Sequence, residues 1–305
     1  MFVRVLGSSA GGGFPQWNCG CPNCTGVRAG TIRAKARTQE SVAVSADGDS
    51  WFLLNASPEI RAQIEGFPRL HPRALRDTPL AGILFTSGDL DHCLGLLSLR
   101  ESQRLDVYAT AAMRRSFVEG NTLYPTLERF EGQVRWHPLA PNERCALLLS
   151  DGKESGLELV PYSVRGKPPL HAKQLAPSPG DNLGLRIEDR RTGGVLAYVS
   201  GVTGPSSELE ACVAGANAIF FDGTFWTRDE LVALGVSNRY AEDMAHWPLS
   251  GPDGSLAFLS RQPAARKLFI HINNTNPILR EDSPERAEVM ARGVEVSEDG
   301  QEFSL

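Results

Sequence analysis

The sequence predicts an α/β fold in which sheets pack beneath helices, and three observations carry that prediction. Short β-rich runs recur from the N-terminus onward, each bounded by Gly, Pro, Asp or Ser. Helical stretches come between later strands in both halves of the chain, which argues against a helix bundle and against a pure β-sandwich. The 305 residues include 41% hydrophobic and 22% charged, the balance of an ordinary globule with material for a large core.

The strands are expected at residues 2–7, 41–46, 50–55, 80–86, 105–108, 133–138, 157–164, 183–188, 195–200, 218–222 and 267–272. Helices are expected at 58–65, 94–103, 111–119, 206–214, 255–261 and 284–291, the last opening on Ser283-Pro284-Glu285 as a helix start should. Residues 162–182 are rich in proline and glycine and carry Arg165, Lys167, His171 and Lys173. They read as a long surface loop, either a functional lid or an inert insertion. Large layered folds often run past 200 residues as one unit, so a single domain over residues 1–305 is the expectation.

A formal net charge of -5 leaves no basic footprint, so gripping nucleic acid is not the main task. The first residues lack the pattern of a secretory signal, and no apolar run reaches the roughly 18 residues of a membrane helix. Of six cysteines, Cys19, Cys21 and Cys24 are clustered, while Cys93, Cys145 and Cys212 are scattered. That is not a disulfide framework, and a soluble protein of the reducing cytoplasm is expected.

Cys19-Gly-Cys21-Pro-Asn-Cys24 places three thiols within one tight turn. Thiolates at this spacing favour tetrahedral zinc, with a fourth ligand from elsewhere, and three sulfurs suit a closed structural site. Unrelated buried cysteines and a redox Cys-x-x-Cys are the alternatives. The run Ser8-Ser9-Ala10-Gly11-Gly12-Gly13 lacks the Gly-Lys-Ser/Thr ending of a phosphate loop, so its glycines are expected to let the backbone pass close to a metal or to the cysteine knuckle.

The strand at 80–86 is followed by Ser87-Gly88-Asp89-Leu90-Asp91-His92 and then by a helical pattern, the junction at which layered folds gather ligand chemistry. "LFTSGDLDHCLGL" resembles the Thr-His-x-His-x-Asp-His signature of the metallo-β-lactamase superfamily, with Ser87 and Asp89 in place of the leading histidines. The order of motifs is similar to the branch that holds RNase Z and the phosphonate-pathway phosphodiesterase, whose members also carry an early Cys-x-Cys-x-x-Cys. "RVLGSSAGGGFPQWNCGCPNC", "KARTQESVAVS", "FFDGTFW" and "HINNTNPIL" resemble, along essentially the whole chain, the family that serves pyrroloquinoline quinone biosynthesis. The resemblance implies an αββα sandwich of two mixed sheets flanked by helices.

It also implies a changed metal site. Hydrolytic members hold two metals with a bridging carboxylate. Here Ser87 and Asp89 replace two histidines of the first site; its third histidine would fall near Arg165 or Gly166, and the bridging aspartate near Gly201. The second site keeps Asp91, His92 and His271, one carboxylate and two imidazoles, the composition that holds non-haem Fe(II) with open positions for oxygen chemistry. Zinc can occupy such a site in isolated protein. Asp89 is either a further ligand or an outer partner orienting an imidazole. Asp222 and His246 fall where relatives carry active-site residues; His246 reads as a general acid or base, or as a structural histidine. A histidine closes the structural zinc site of the phosphodiesterase relative, and here that position is Asn274, either a fourth ligand or a turn cap.

The leading functional expectation is an iron-dependent oxygenase hydroxylating the tyrosine-derived ring of a crosslinked Glu–Tyr precursor of pyrroloquinoline quinone, with dioxygen as co-substrate. Arg165, Lys167 or Lys173 would clamp the precursor's carboxylates, or else be solvated surface charge. A carrier of the finished cofactor or its precursor, and a single-zinc hydrolase, are the other readings. A second copy of the chain, as a homodimer, stands open as a partner.

Overall fold

The computed structural model describes residues 1–172 and 174–305. The first half of the chain builds one sheet from β1 (Phe2–Gly7), β2 (Ser41–Ser45), β3 (Trp51–Leu54), β4 (Leu80–Leu84), β5 (Leu105–Ala109) and β6 (Val134–Pro138). The second half builds another from β7 (Cys145–Leu148), β8 (Glu154–Ser163), β9 (Leu183–Asp189), β10 (Val195–Val199), β11 (Ala218–Asp222), β12 (Arg266–Ile270) and β13 (Glu295–Val296). The last strand, β14 (Glu302–Ser304), returns to the free edge of β1 and gives the order β14-β1-β2-β3-β4-β5-β6. The second sheet runs β13-β12-β11-β10-β9-β8-β7.

The two sheets repeat one pattern. In the first, β14 through β3 pair antiparallel and β3 through β6 pair parallel. In the second, β7 through β10 pair antiparallel and β10 through β13 pair parallel. Parallel strands are normally covered on both faces, and the side-chain alternation of β10 to β12 shows why their buried stretches are apolar. Leu196, Tyr198, Phe220, Leu268 and Ile270 join the core shared with Val44, Phe52, Leu54 and Val107 of the first sheet. Their neighbours Ala197, Val199, Ile219, Phe221 and Phe269 pack outward against Leu209, Val213, Leu256, Leu259 and Val289 of the covering helices. Two sheets packed face to face beneath helices are the αββα sandwich the sequence implied.

Helices follow the expected caps where caps exist. Thr110, Ser206 and Ser283 each accept a first-turn backbone N–H and open Ala111–Val118, Ser207–Val213 and Pro284–Ala291. The expected helix at 94–103 is instead two short turns, Leu90–Cys93 and Gly95–Ser98. Gly95 lies so tightly on the chain that an added Cβ would stand 2.2 Å from the Ser57 carbonyl oxygen. The Cys21–Cys24 turn proves to open a helix, Pro22–Ala29, with Cys21 as its N-cap, Pro22 in its first turn and Gly30 ending it at φ 65. Among the described residues, no helix is long and apolar enough to cross a membrane.

Beyond β1 the chain bridges the two sheets. Ser9 pairs with both Gln39 and Ile272, and Ala10 N–H donates to the Ile272 carbonyl at 2.9 Å. This seam fixes the end of β12 against the end of β1 and the residues leading into β2.

Candidate metal centre

Three residues far apart in sequence meet at that seam. Asp91 and His92 lie on the short helix after β4, and His271 follows the last residue of β12. His271 stands just past the strand rather than in it, at φ 57, a left-handed conformation that a non-glycine residue adopts at a cost and that surrounding structure must hold. Its Nε2 is 3.1 Å from Asp91 Oδ2, His92 Nε2 is 4.0 Å from the same oxygen, and one ligand atom from each residue lies within 4.8 Å of the others. Donors about 2.0–2.2 Å from a common ion are separated by roughly 3–4 Å, so the set fits a single metal.

The hydrogen bonds select the ring nitrogens. His92 Nδ1 lies 2.9 Å from Ser87 Oγ and 3.2 Å from Thr86 Oγ1. Thr86 Oγ1 donates to Asn55 Oδ1 and Ser87 Oγ donates to Asp89 Oδ2 at 3.1 Å, so both hydroxyls can accept from a protonated Nδ1. His92 Nε2 is buried and has no hydrogen-bond partner among the described residues, the condition of an imidazole waiting for a cation. His271 Nδ1 is 2.9 Å from Thr224 Oγ1, which donates to Asp222 Oδ1 at 2.6 Å, and this again leaves Nε2 facing Asp91. Asp89 therefore orients His92 through Ser87.

Burial works against charge on Asp91, yet the His92 and His271 imidazoles hold its carboxyl well below the usual range. Burial would lower the His271 ring, but the hydrogen bond and charge of Asp91, with Asp222 and Glu40 behind it, raise it to about 9. A cation bound between Asp91 and His271 takes the place of that proton.

Asp222, at the end of β11, is completely buried, and His246 Nδ1 donates to its Oδ2 at 2.8 Å. Burial opposes its charge, and the charge and hydrogen bond of His246 outweigh it, keeping Asp222 below its ordinary value. The His246 and His271 rings are stacked with centroids 5.2 Å apart. Asp222, His246 and His271 also form a donor group, but the short Asp222–His246 hydrogen bond makes it an acid–imidazole pair beside the triad.

Both histidine sets face a cavity of about 250 Å³ whose wall includes Ser87, Asp89, Asp91, His92, Gly201, His246 and His271. Lys167 is on that wall and donates from Nζ to the Asp243 carbonyl at 2.7 Å. Arg165 is exposed and not part of the wall, and Lys173 lies outside the described residues. The cation that sequence reasoning missed is Arg239, also on the wall, in a loop without periodic signal. Missed too were Thr86 and Thr224, single hydroxyls whose roles become visible only in three dimensions. Gly11 passes so close that an added Cβ would stand 3.1 Å from Asp91 Oδ2.

The cysteine cluster is a separate centre. The Cys19, Cys21 and Cys24 sulfurs lie within 4.8 Å of one another, as tetrahedral thiolate ligands would. The Asn274 side-chain amide faces all three, at 3.1, 3.6 and 3.3 Å respectively. Its nitrogen and oxygen exchange by a half-turn, so the same placement serves a donor to thiolates or an oxygen ligand. Burial pushes the Cys21 thiol up to about 11, so gathering several thiolates here calls for a cation. The Arg28 guanidinium donates to the carbonyls of Cys19 and Gln16 and ties the knuckle to its helix.

A family model described as the beta-lactamase superfamily domain matches residues 50–272, from β3 to the turn beyond His271. The fold and the metal-ligand geometry thus define a member of the metallo-β-lactamase superfamily. Zn(2+)-bound PqqB from Methylobacterium extorquens superposes with a TM-score of 0.92 at 42% identity, covering 100% of both chains. Coenzyme PQQ synthesis protein B of Azotobacter vinelandii is 45% identical over 307 residues, again covering 100% of each. The chain belongs to the coenzyme PQQ synthesis protein B family. A diphosphatase of the PhnP family, at 20% identity, shares the fold with a TM-score of 0.67 over 100% of this chain and 97% of that one.

Proposed function

We propose that the chain acts in pyrroloquinoline quinone biosynthesis as an iron-dependent oxygenase that hydroxylates the tyrosine-derived ring of a crosslinked Glu–Tyr precursor. Membership of a family whose relatives are called coenzyme PQQ synthesis protein B supports the pathway. The observation that carries the chemistry is the meeting of Asp91, His92 and His271 at the wall of an open cavity, a set of three protein donors among the described residues. Two imidazoles and one carboxylate suit Fe(II) and leave positions for substrate and dioxygen. Of Ser87 and Asp89, where hydrolytic relatives have ligands, Ser87 is instead hydrogen-bonded both to Asp89 and to His92.

Asp91, His92 and His271 would hold the iron, which supplies the redox chemistry that lets dioxygen react with an aromatic ring. One oxygen atom enters a C–H bond and the other leaves as water, with two electrons and two protons from an external reductant and solvent. Asp222 fixes His246 through Nδ1, so the other ring nitrogen, Nε2, is available to take a proton from the phenol. Lys167 and Arg239 place positive charge on the wall, suited to a substrate rich in carboxylates. The second centre, Cys19, Cys21 and Cys24 with Asn274, would hold a structural zinc.

The test is anaerobic loading with Fe(II), followed by precursor, reductant and isotopically labelled dioxygen. Product carrying one labelled oxygen is expected. Binding without turnover would instead make the protein a carrier, and an unlabelled product that forms equally well without dioxygen would make it a zinc hydrolase.

A further inference from the structure

Glu40 is completely buried immediately before β2 and does not line the cavity. One of its oxygens, Oε2, accepts from Asn55 Nδ2 at 3.0 Å and stands 3.5 Å from His92 Nε2. The other, Oε1, has no hydrogen-bond partner among the described residues, and neither has His92 Nε2. A buried carboxylate with one oxygen unpartnered, whose other oxygen stands 3.5 Å from the unpartnered imidazole nitrogen of a metal-ligand set, is costly unless something charged completes the group.

We propose that Glu40 is the second carboxylate of the metal centre, a positioning residue that balances a divalent cation held by Asp91, His92 and His271. With an ion bound, both imidazoles neutral and Glu40 ionised, Asp91 and Glu40 would together supply two negative charges, cancelling those of the ion in a site walled off from solvent on Glu40's side. Glu40 is not one of the three donors that converge, so it leaves the cavity-facing positions open. It stands beside the metal-facing Nε2 of His92, on the side away from the cavity. The polar layer around it fits that role. Asn55, at φ 63 just beyond β3, donates to Glu40 through Nδ2 and accepts the Thr86 N–H and O–H through Oδ1. The carboxylate and the His92 ring are thereby held by one amide and one hydroxyl. The competing role is that of a protonated structural acid, for which glutamine is a near equivalent.

The inference rests on the triad as a metal site, and the experiment separates the two. Cobalt(II) affinity is measured by chelator competition on wild type, Glu40→Gln and Glu40→Asp, each with the cysteine site filled with zinc as a check of folding. Glu40→Gln is expected to bind cobalt at least about tenfold more weakly, within the 10–100-fold range for lost outer partners, and Glu40→Asp to recover most of that loss. A Glu40→Gln protein less than tenfold weaker overturns the role of Glu40 alone. Wild type that takes up no metal beyond the cysteine site overturns the triad itself. Should Glu40→Gln fail to fold, the cobalt-loaded wild-type crystal structure decides: a Glu40 oxygen within about 5 Å of the ion is required, and a greater separation refutes the proposal.

Discussion

Replacing Thr224 with valine keeps the side-chain volume and removes one hydroxyl that serves two groups of the site. That hydroxyl donates to Asp222 Oδ1 at 2.6 Å and accepts from His271 Nδ1 at 2.9 Å, all of it buried. Losing a hydrogen bond to a charged group costs about 1.5–3 kcal/mol, and leaving the His271 N–H unpaired about 1–3 more. Asp222 keeps the Val202 and Thr224 N–H groups and His246, which places its loss at the low end. The expected destabilisation is about 2–4 kcal/mol, or about 3–6 °C in Tm for a chain of this size. Thermal unfolding in the presence of a chelator isolates that term from metal linkage. Metal affinity at the triad should fall about 10–100-fold besides, because the ring orientation is no longer fixed. A Tm within about 2 °C of wild type, with metal affinity unchanged, would refute the assignment of Nδ1 to Thr224 and Nε2 to the metal.

Other substitutions probe neighbouring parts of the account. Gly11→Ala pushes a methyl group against Asp91 Oδ2, so competition titration should show about tenfold weaker metal binding at the triad with little change in Tm. Asn274→Ala should release zinc from the cysteine site to a chelator about tenfold faster; an unchanged rate would leave Asn274 a turn residue only. Glu230 is buried, accepts from the Thr275 hydroxyl and the Trp226 N–H, and is raised by burial from 4.5 to about 7. Its folded form keeps a proton that the unfolded chain has already released, so its stabilisation is present below about pH 4.5 and lost as pH rises toward 7. Urea unfolding should therefore show the stability of wild type, relative to Glu230→Gln, falling by about 2–3 kcal/mol across that interval; a difference independent of pH contradicts it.

How much of this was legible in sequence followed from how locally each feature is encoded. The central strands are short, largely apolar and bounded by turn residues, so β3, β4, β10, β11 and β12 fell within a residue or two of their expected limits. The edge strands β7, β13 and β14 were missed; two of them are only two or three residues long, held by neighbours rather than by their own pattern. The helix Pro22–Ala29 was hidden because its cysteines dominated the reading, although Pro22 and Gly30 mark its ends. Asp91, His92 and His271 could be picked out because they match a motif at strand ends. Glu40, Thr224 and Arg239 could not, since a buried glutamate, a threonine and a loop arginine carry no periodicity, and their elements meet only once the sheets are joined, at seams such as Ser9–Ile272 and Ser87–Asn182. The loop expected at 162–182 begins two residues late, because Tyr162 and Ser163 complete β8.

The claim on which all of this depends is that one ion is held by Asp91, His92 and His271 with coordination positions open to the cavity. Anomalous diffraction from crystals loaded anaerobically with Fe(II) tests it directly. The account predicts an iron peak about 2.0–2.3 Å from Asp91 Oδ, His92 Nε2 and His271 Nε2, with water or substrate completing the shell on the cavity side. Iron bound elsewhere, or an ion at the triad closed off by protein ligands on every side, would contradict it.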